Sequence, residues 1–311
     1  MGTVISLGSV NADFVVRTPA DLSGSVVGEA LLRTSGGKGS NVAVLCARLG
    51  AQARLLGCVG DDDLAAQALR GPEAAGVHLR GVRRRRGPTG YASILVPPGG
   101  EKTIVLVPHA NDAWGDDAEK VAAEVDAAPD DTVVVADLEV PPALVVAALQ
   151  CARERGFPTV LDPAPADRVT DELLSLADHV VPDAAEAGQL VGIEIGTLDD
   201  AVRAARTLTK RGAACVHVKL AGGGAVVADG DQVLHVEAPS DIDVVDATGA
   251  GDAYAGGLAW ALLRGLPVAE AAGFGVAAST CAVTVLGSQE SYPTEPELRA
   301  MAARVRTSSP D

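Results

Sequence analysis

A chain of 311 residues with 48% hydrophobic but only 3% aromatic content can bury one large aliphatic core or two modest ones. Its formal charge of −16 excludes a nucleic-acid surface, which needs clustered Lys and Arg, but not a nucleotide, which needs only a local set of donors. Cys46, Cys58, Cys151, Cys215 and Cys281 form no CxxC pair, the start MGTVISLGSVNAD lacks a basic-then-apolar leader, and no apolar run reaches the ~18 residues of a membrane span, so the expectation is a soluble, cytoplasmic protein with reduced thiols.

Short β-branched runs alternate with Ala/Leu-rich stretches, the pattern of a parallel sheet with crossover helices. Val4–Gly8 is a first strand, Asn41–Leu49 a helix and Arg54–Val59 a strand. Thr132–Val140 is a buried strand, and Pro141 and Pro142 open the helix Ala143–Arg155. A strand at Thr159–Asp162, a helix at Asp171–Leu176 and a helix at Asp183–Val191 follow, then the amphipathic helix Leu198–Arg211 ending at Gly212. Cys215–Leu220, Ala225–Asp229 and Gln232–Ala238 read as strands; Asp252–Arg264, Val268–Val285 and Glu295–Arg306 read as helices before a loose tail. Two segments break the rhythm. Asn11–Thr34 alternates without helical period, and Thr89–Pro108 reads as a hairpin, Tyr91–Val96 and Lys102–Val107, turning at Pro98-Gly99-Gly100. Both predict strands of a separate small sheet, placed to cover a ligand site.

The segment Asp246-Ala247-Thr248-Gly249-Ala250-Gly251-Asp252 runs into a helix, where partnerless backbone N–H groups and the helix dipole make an anion site. A carboxylate at that spot would repel an anion, yet it makes sense if Asp252 takes a proton from a nucleophile while the amides stabilise a phosphoryl group. The alternative is a plain helix N-cap. Ser35-Gly36-Gly37-Lys38-Gly39-Ser40-Asn41 is neither a Walker A loop nor GxGxxG; it reads as a glycine turn offering Lys38 and Asn41 to a ligand, or as a simple strand-to-helix loop. Asn11 and Asp13 supply the donor and acceptor mixture that vicinal hydroxyls want, or else an Asx turn. Glu139 ends a buried strand, where α/β sheets place ligands, or is a solvated strand end.

Taken together, these segments resemble the PfkB family of carbohydrate kinases. Gly36–Asn41 is similar to the family's first signature and Val245–Asp252 to its second, and Leu7-Gly8-Ser9-Val10-Asn11-Ala12-Asp13 and Leu161-Asp162-Pro163-Ala164-Pro165-Ala166 extend the likeness over nearly the whole chain. The resemblance implies a three-layer α/β/α fold with a mainly parallel central sheet. Its core is 1–10, 35–88 and 109–311, and its discontinuous β-sheet lid is 11–34 and 89–108. It implies ATP-dependent phosphorylation of a sugar's primary hydroxyl, in the branch that turns D-ribose into D-ribose 5-phosphate. Asn11, Asp13, Gly37, Lys38, Asn41 and Glu139 would then hold the sugar, Asp252 would be the base, and the Gly249, Ala250 and Gly251 amides the anion hole. Asp183, Glu186, Lys219, Ala221, Gly222, Gly224, Gly249 and Gly251 would serve the nucleotide, with Glu186 organising magnesium-bound water. Asp246, Thr248, Gly287 and Ser291 would hold a monovalent cation, potassium. The family also implies a homodimer paired through the lids.

The chain departs from the family at Asp183, Lys219, Ala221 and Val276, where relatives carry Asn, Thr, Gly and Asn or His; these positions bear on nucleotide preference. Rival readings are a nucleoside kinase, which would want stacking aromatics, a sugar-phosphate kinase, which could draw cations from Arg83–Arg86, and a catalytically silent sugar-binding regulator. A dinucleotide-dependent oxidoreductase is disfavoured by the missing fingerprint.

Overall fold

The strands buried along their whole length form the centre of the sheet, and those with exposed positions form its margins. The computed structural model describes residues 2–19, 24–98 and 102–310. Its strands are β1 (Thr3–Leu7), β2 (Asn11–Arg17), β3 (Ala30–Gly36), β4 (Gln52–Val59), β5 (Val82–Arg84), β6 (Gly90–Val96) and β7 (Thr103–Val107), then β8 (Thr132–Asp137), β9 (Thr159–Asp162), β10 (His179–Val180), β11 (Cys215–Lys219), β12 (Ala225–Asp229), β13 (Gln232–Glu237) and β14 (Arg306–Ser308). The large sheet runs β14-β13-β12-β11-β10-β9-β8-β1-β4-β5, parallel from β11 to β5 and antiparallel beyond. The separate small sheet runs β3-β2-β6-β7, with only β2 and β6 parallel.

Because side chains alternate along a strand, each central strand feeds two cores. Val4, Leu55, Val133 and Cys215 pack under the helices Lys38–Arg48, Leu64–Ala74, Ala250–Leu262, Val268–Ala282 and Glu295–Ala302. Their neighbours Ile5, Leu56, Val134 and Val216 pack under Ala118–Asp126, Pro142–Arg155, Asp171–Leu176, Ala184–Val191 and Leu198–Lys210. The result is the expected three-layer α/β/α sandwich. No helix among the described residues is long and apolar enough to cross a membrane.

Several boundaries differ from expectation. The helix Leu64–Ala74 holds Gly71 and Pro72, which hid it; Ser35 repairs its ladder by accepting from Gly71 N (2.8 Å) and donating to Gln67 O (2.9 Å). The helix Ala118–Asp126 and strand β5 were also unforeseen, and β8 ends at Asp137 instead of Val140. The helix expected over Glu295–Arg306 stops at Ala302, and the tail pairs with β13 as β14. The helix expected from Asp252 begins at Ala250 and that expected to Val285 ends at Ala282. The hairpin of β6 and β7 forms as expected; Gly99 and Gly100 of its turn lie outside the described residues.

The chain leaves β1 for β4 on one side and later returns to β8 on the other, so the strand order reverses between β1 and β8. At such a switch point the carboxyl ends of the strands open a crevice. The helix Ala250–Leu262 is anchored below it by Trp260, fully buried, whose indole N–H donates to Leu49 O at 2.9 Å. Trp260→Ala should therefore cost about 3–5 kcal/mol in urea unfolding; a loss below about 1 kcal/mol would show that this anchor does not carry the helix.

Candidate active site

The crevice is a cavity of about 1310 Å³ that reaches from the small sheet to the loops after β11 and β13. Gly36 and Gly37 let one wall form. A Cβ on Gly36 would stand 2.0 Å from Asp13 Oδ2, and Gly37, at φ 91, caps the helix Lys38–Arg48 where a Cβ would meet Ser9 O at 2.5 Å. The tight turn puts Lys38 Nζ 3.2 Å from Asp162 Oδ2 and 3.6 Å from Asp252 Oδ1. One turn on, Asn41 Nδ2 donates to Asp252 Oδ2 at 2.7 Å. Asn11 and Asp13 share a face of β2 and line the cavity, so they form no Asx turn. Asp13 Oδ1 is buried without a hydrogen-bond partner among the described residues. Glu139 is half-buried and accepts from Ser9 Oγ at 2.5 Å, so it is no solvated strand end.

Charge crowding governs the titration of this wall. Burial, reinforced by Glu139 and Asp252, pushes Asp13 up to about 7. Burial would lower Lys38, but Asp162, Asp252 and Glu139 together hold it well above the ordinary lysine range. Burial would raise Asp162, yet Lys38 and then Lys219 keep it below the usual carboxylate range. Asp137, paired in register with Asp162, is pushed well above that range by burial and by Glu139.

The opposite wall begins at Gly249, which caps the helix Ala250–Leu262 with φ 76 and no side-chain cap bond. Asp252 is thus the third residue of the helix and not its N-cap. The amides of Gly249, Gly251 and Asp252 have no hydrogen-bond partner among the described residues, while that of Ala250 donates to Ala247 O at 3.3 Å. Lys219 faces this turn: its Nζ lies 3.2 Å from where a Cβ on Gly251 would stand and 3.8 Å from Asp162. Asp183 and Glu186 form a capping box, Glu186 N to Asp183 Oδ1 at 2.7 Å and Asp183 N to Glu186 Oε2 at 2.8 Å. Burial and Asp162 raise Glu186. Ala221 and Gly222 line the cavity, whereas Gly224 does not: it accepts from Leu220 N at 3.0 Å to close the turn, packed against Val236 O. Val276 is buried in its helix, and Ser279, Thr280 and Val283 line the cavity instead.

Of the four residues expected at a cation site, Thr248 and Gly287 donate to Asp246, and Ser291 turns its hydroxyl to Ser288 O at 2.7 Å. The position is claimed by a residue not foreseen there: Lys102 Nζ contacts Asp246 Oδ1 and Thr248 Oγ1.

Other contributors also escaped sequence reasoning. Gln289 donates to Asn41 Oδ1 at 2.9 Å, which leaves the Asn41 amide nitrogen for Asp252. Asn111 donates to Asn11 Oδ1 at 2.7 Å and accepts from Val10 N at 3.0 Å. Ser9 also accepts from Lys38 N at 2.9 Å. Asp137 and Asp162 could have been found by the strand-end rule that singled out Glu139; Asn111, Gln289 and Lys102 carry no comparable local signal.

Known proteins share this arrangement of chain. A profile of the pfkB family carbohydrate kinases matches residues 1–295. Ribokinase of Haemophilus influenzae is 34% identical over 300 residues, which cover 95% of this chain and 96% of that protein. Deoxyribokinase of Salmonella typhi is 31% identical over 264 residues, covering 83% and 84%. The structure of Arabidopsis thaliana ribokinase complexed with ribose and ATP aligns with a TM-score of 0.84 at 27% identity, over 97% of this chain and 98% of that one. The fold is ribokinase-like, and the chain belongs to the pfkB family of carbohydrate kinases.

Proposed function

We propose that this protein transfers the γ-phosphoryl group of ATP to the primary hydroxyl of ribose, giving ribose 5-phosphate, with Asp252 as the base. The observation that carries this reading is the position of Asp252, whose carboxylate is oriented by Lys38 and Asn41 beside the open amides of the first helical turn. The acceptor hydroxyl gives its proton to Asp252 as its oxygen attacks the γ-phosphorus in line, the bond to the β,γ-bridging oxygen breaks and ADP leaves, and the Gly249 and Gly251 amides with Lys219 stabilise the charge of the moving group. Ala250 contributes to this anion hole only if its amide leaves Ala247.

On the sugar side, Asn11, Asp13, Gly37, Lys38, Asn41 and Glu139 would hold the hydroxyls. The bare Asp13 Oδ1, held in an otherwise satisfied wall, is suited to accept one of them. On the nucleotide side, Asp183, Glu186, Lys219, Ala221 and Gly222 line the same cavity. Magnesium fits as part of the substrate Mg·ATP: it would neutralise charge on the phosphates and relieve the crowding of Glu186 against Asp162. Among the described residues no three carboxylates converge as direct ligands, so the phosphates and water would complete its shell.

Ribose is favoured over the rivals for stated reasons. The Haemophilus influenzae ribokinase exceeds the deoxyribokinase in both identity and coverage. No Phe, Tyr or Trp stands among the described residues lining the cavity, which leaves a nucleoside base nothing to stack on. Arg83–Arg86 lie away from it, with Arg85 paired to Asp117, so they offer no seat for a sugar phosphate. The intact base and open amides disfavour a silent regulator.

We assign 11–34 and 89–108 to a lid over a core of 1–10, 35–88 and 109–311. The exposed Leu31, Leu32, Ile104, Val105 and Leu106 of that lid support pairing of two copies. The five free cysteines fit a reducing cytoplasm.

Asp252→Asn should lower kcat by about 10²–10⁴-fold with ribose KM nearly unchanged, measured as ADP release; near-normal turnover would remove Asp252 from the role. Lys219→Met should raise the KM for ATP more than that for ribose, and equal effects on both would place Lys219 outside the nucleotide site. Asp13 in the ligand-free protein holds a proton below about pH 7. If ribose binds to its carboxylate, binding must expel that proton. Ribose affinity should then weaken as pH falls below 7, by up to about tenfold per unit. Calorimetric titration at two pH values checks this, and an unchanged affinity contradicts it.

A further inference from the structure

The family implies a potassium ion beside the anion-hole loop, and the residues of this chain do not fit one. Asp246, 6% exposed in its side chain, is already engaged through both carboxylate oxygens. Its Oδ1 accepts from Thr248 N at 2.8 Å, from Thr248 Oγ1 at 2.7 Å and from Lys102 Nζ, and its Oδ2 accepts from Gly287 N at 3.0 Å. Thr248 Oγ1 is likewise met by Lys102, and Ser291 is turned away. The space left between Lys102, Asp246, Thr248, Gly287 and the small sheet is about 10 Å³. That is at the lower limit for a single water and too little for a cation with its shell.

We infer that Lys102, carried by the small sheet, is a tethered cation that replaces potassium in this protein and orders the Asp246–Gly251 loop in its stead. An ammonium group is a compact point charge with three donors, able to satisfy the oxygens a monovalent ion would bind. Its chain supplies it at a local concentration that does not vary with the salt around the protein. Lys102 does not line the large cavity and is a positioning residue: it holds Thr248, and Thr248 precedes the Gly249 turn whose open amides would face the transferring phosphoryl. The inference rests on the kinase reading for its catalytic consequence, while its structural content stands without any substrate.

The test compares wild type, Lys102→Met and Lys102→Gln in potassium chloride and in choline chloride at matched ionic strength. Thermal unfolding of the ligand-free proteins is the first readout and kcat with ribose and Mg·ATP the second. For wild type, exchanging choline for potassium should leave Tm unchanged and kcat within about twofold. Both variants should be less stable and at least about tenfold slower in choline, and potassium should restore roughly 2–4 °C of Tm together with most of the rate. A loss of packing alone would not be repaired by one particular cation. A wild type that needs potassium, or variants indifferent to it, would overturn the inference. Absence of turnover in every salt would count against the kinase reading only, since the Tm pattern still decides what Lys102 does.

Discussion

Lys38 lies within 3.6 Å of Asp252 and 3.2 Å of Asp162, and its charge is what allows the carboxyl ends of the central strands to carry so many acids. Asp137, Glu139 and Asp162 crowd one another at this end of the sheet; burial pushes all three toward the neutral form, and Lys38 opposes it at each. The lysine separates their fates. Asp162 is held below the usual carboxylate range and Asp137 well above it, so two strand ends in register are shifted in opposite directions. The helix that bears Lys38 begins at a glycine that no other residue could replace without collision.

The site is consequently stiff before any ligand arrives. Asn41 is fixed by Gln289, Asn11 by Asn111, and Ser9 by both Glu139 and Lys38, so the groups that face the cavity are aimed by partners behind them. The two-sided core continues the same logic below, where the helix carrying Asp252 is buried along Asp252–Ala261. Catalysis by preorganised charge needs this kind of support, because donors that must reorient during the reaction give back what they contribute.

Much of this was legible in the chain itself. Thr159–Asp162 and Asp171–Leu176 were read to the residue because β-branched and Leu-rich runs there are bounded by proline and aspartate. The two glycine segments pointed to their helices because an uncapped, side-chain-free turn has few other uses. What stayed hidden was of two kinds. Leu64–Ala74 was obscured by Gly71 and Pro72, whose disruption is repaired by a serine thirty-odd residues earlier. Asn111, Gln289 and Lys102 owe their roles to partners 100 to 248 residues away, and no periodicity or local motif records such pairs. Asp183 looked like a lost amide donor, yet the structure shows it as half of a capping box, a task aspartate performs well.

The margins of the two sheets differ in a way that bears on how the molecule meets its own copies. At either end the large sheet stops in a three-residue strand that carries arginine, Val82–Arg84 on one side and the wholly exposed Arg306–Ser308 on the other. Short, charged borders of this sort discourage strand addition and so protect a long, aliphatic sheet from growing into a fibre. The small sheet is less protected: its borders β3 and β7 are longer and, beside the single Arg33 of β3, expose leucine, isoleucine and valine. Aggregation on partial unfolding should therefore start from the small sheet, and polar substitutions at Leu31 or Val105 are where solubility can be improved without disturbing the strand ends that hold the site.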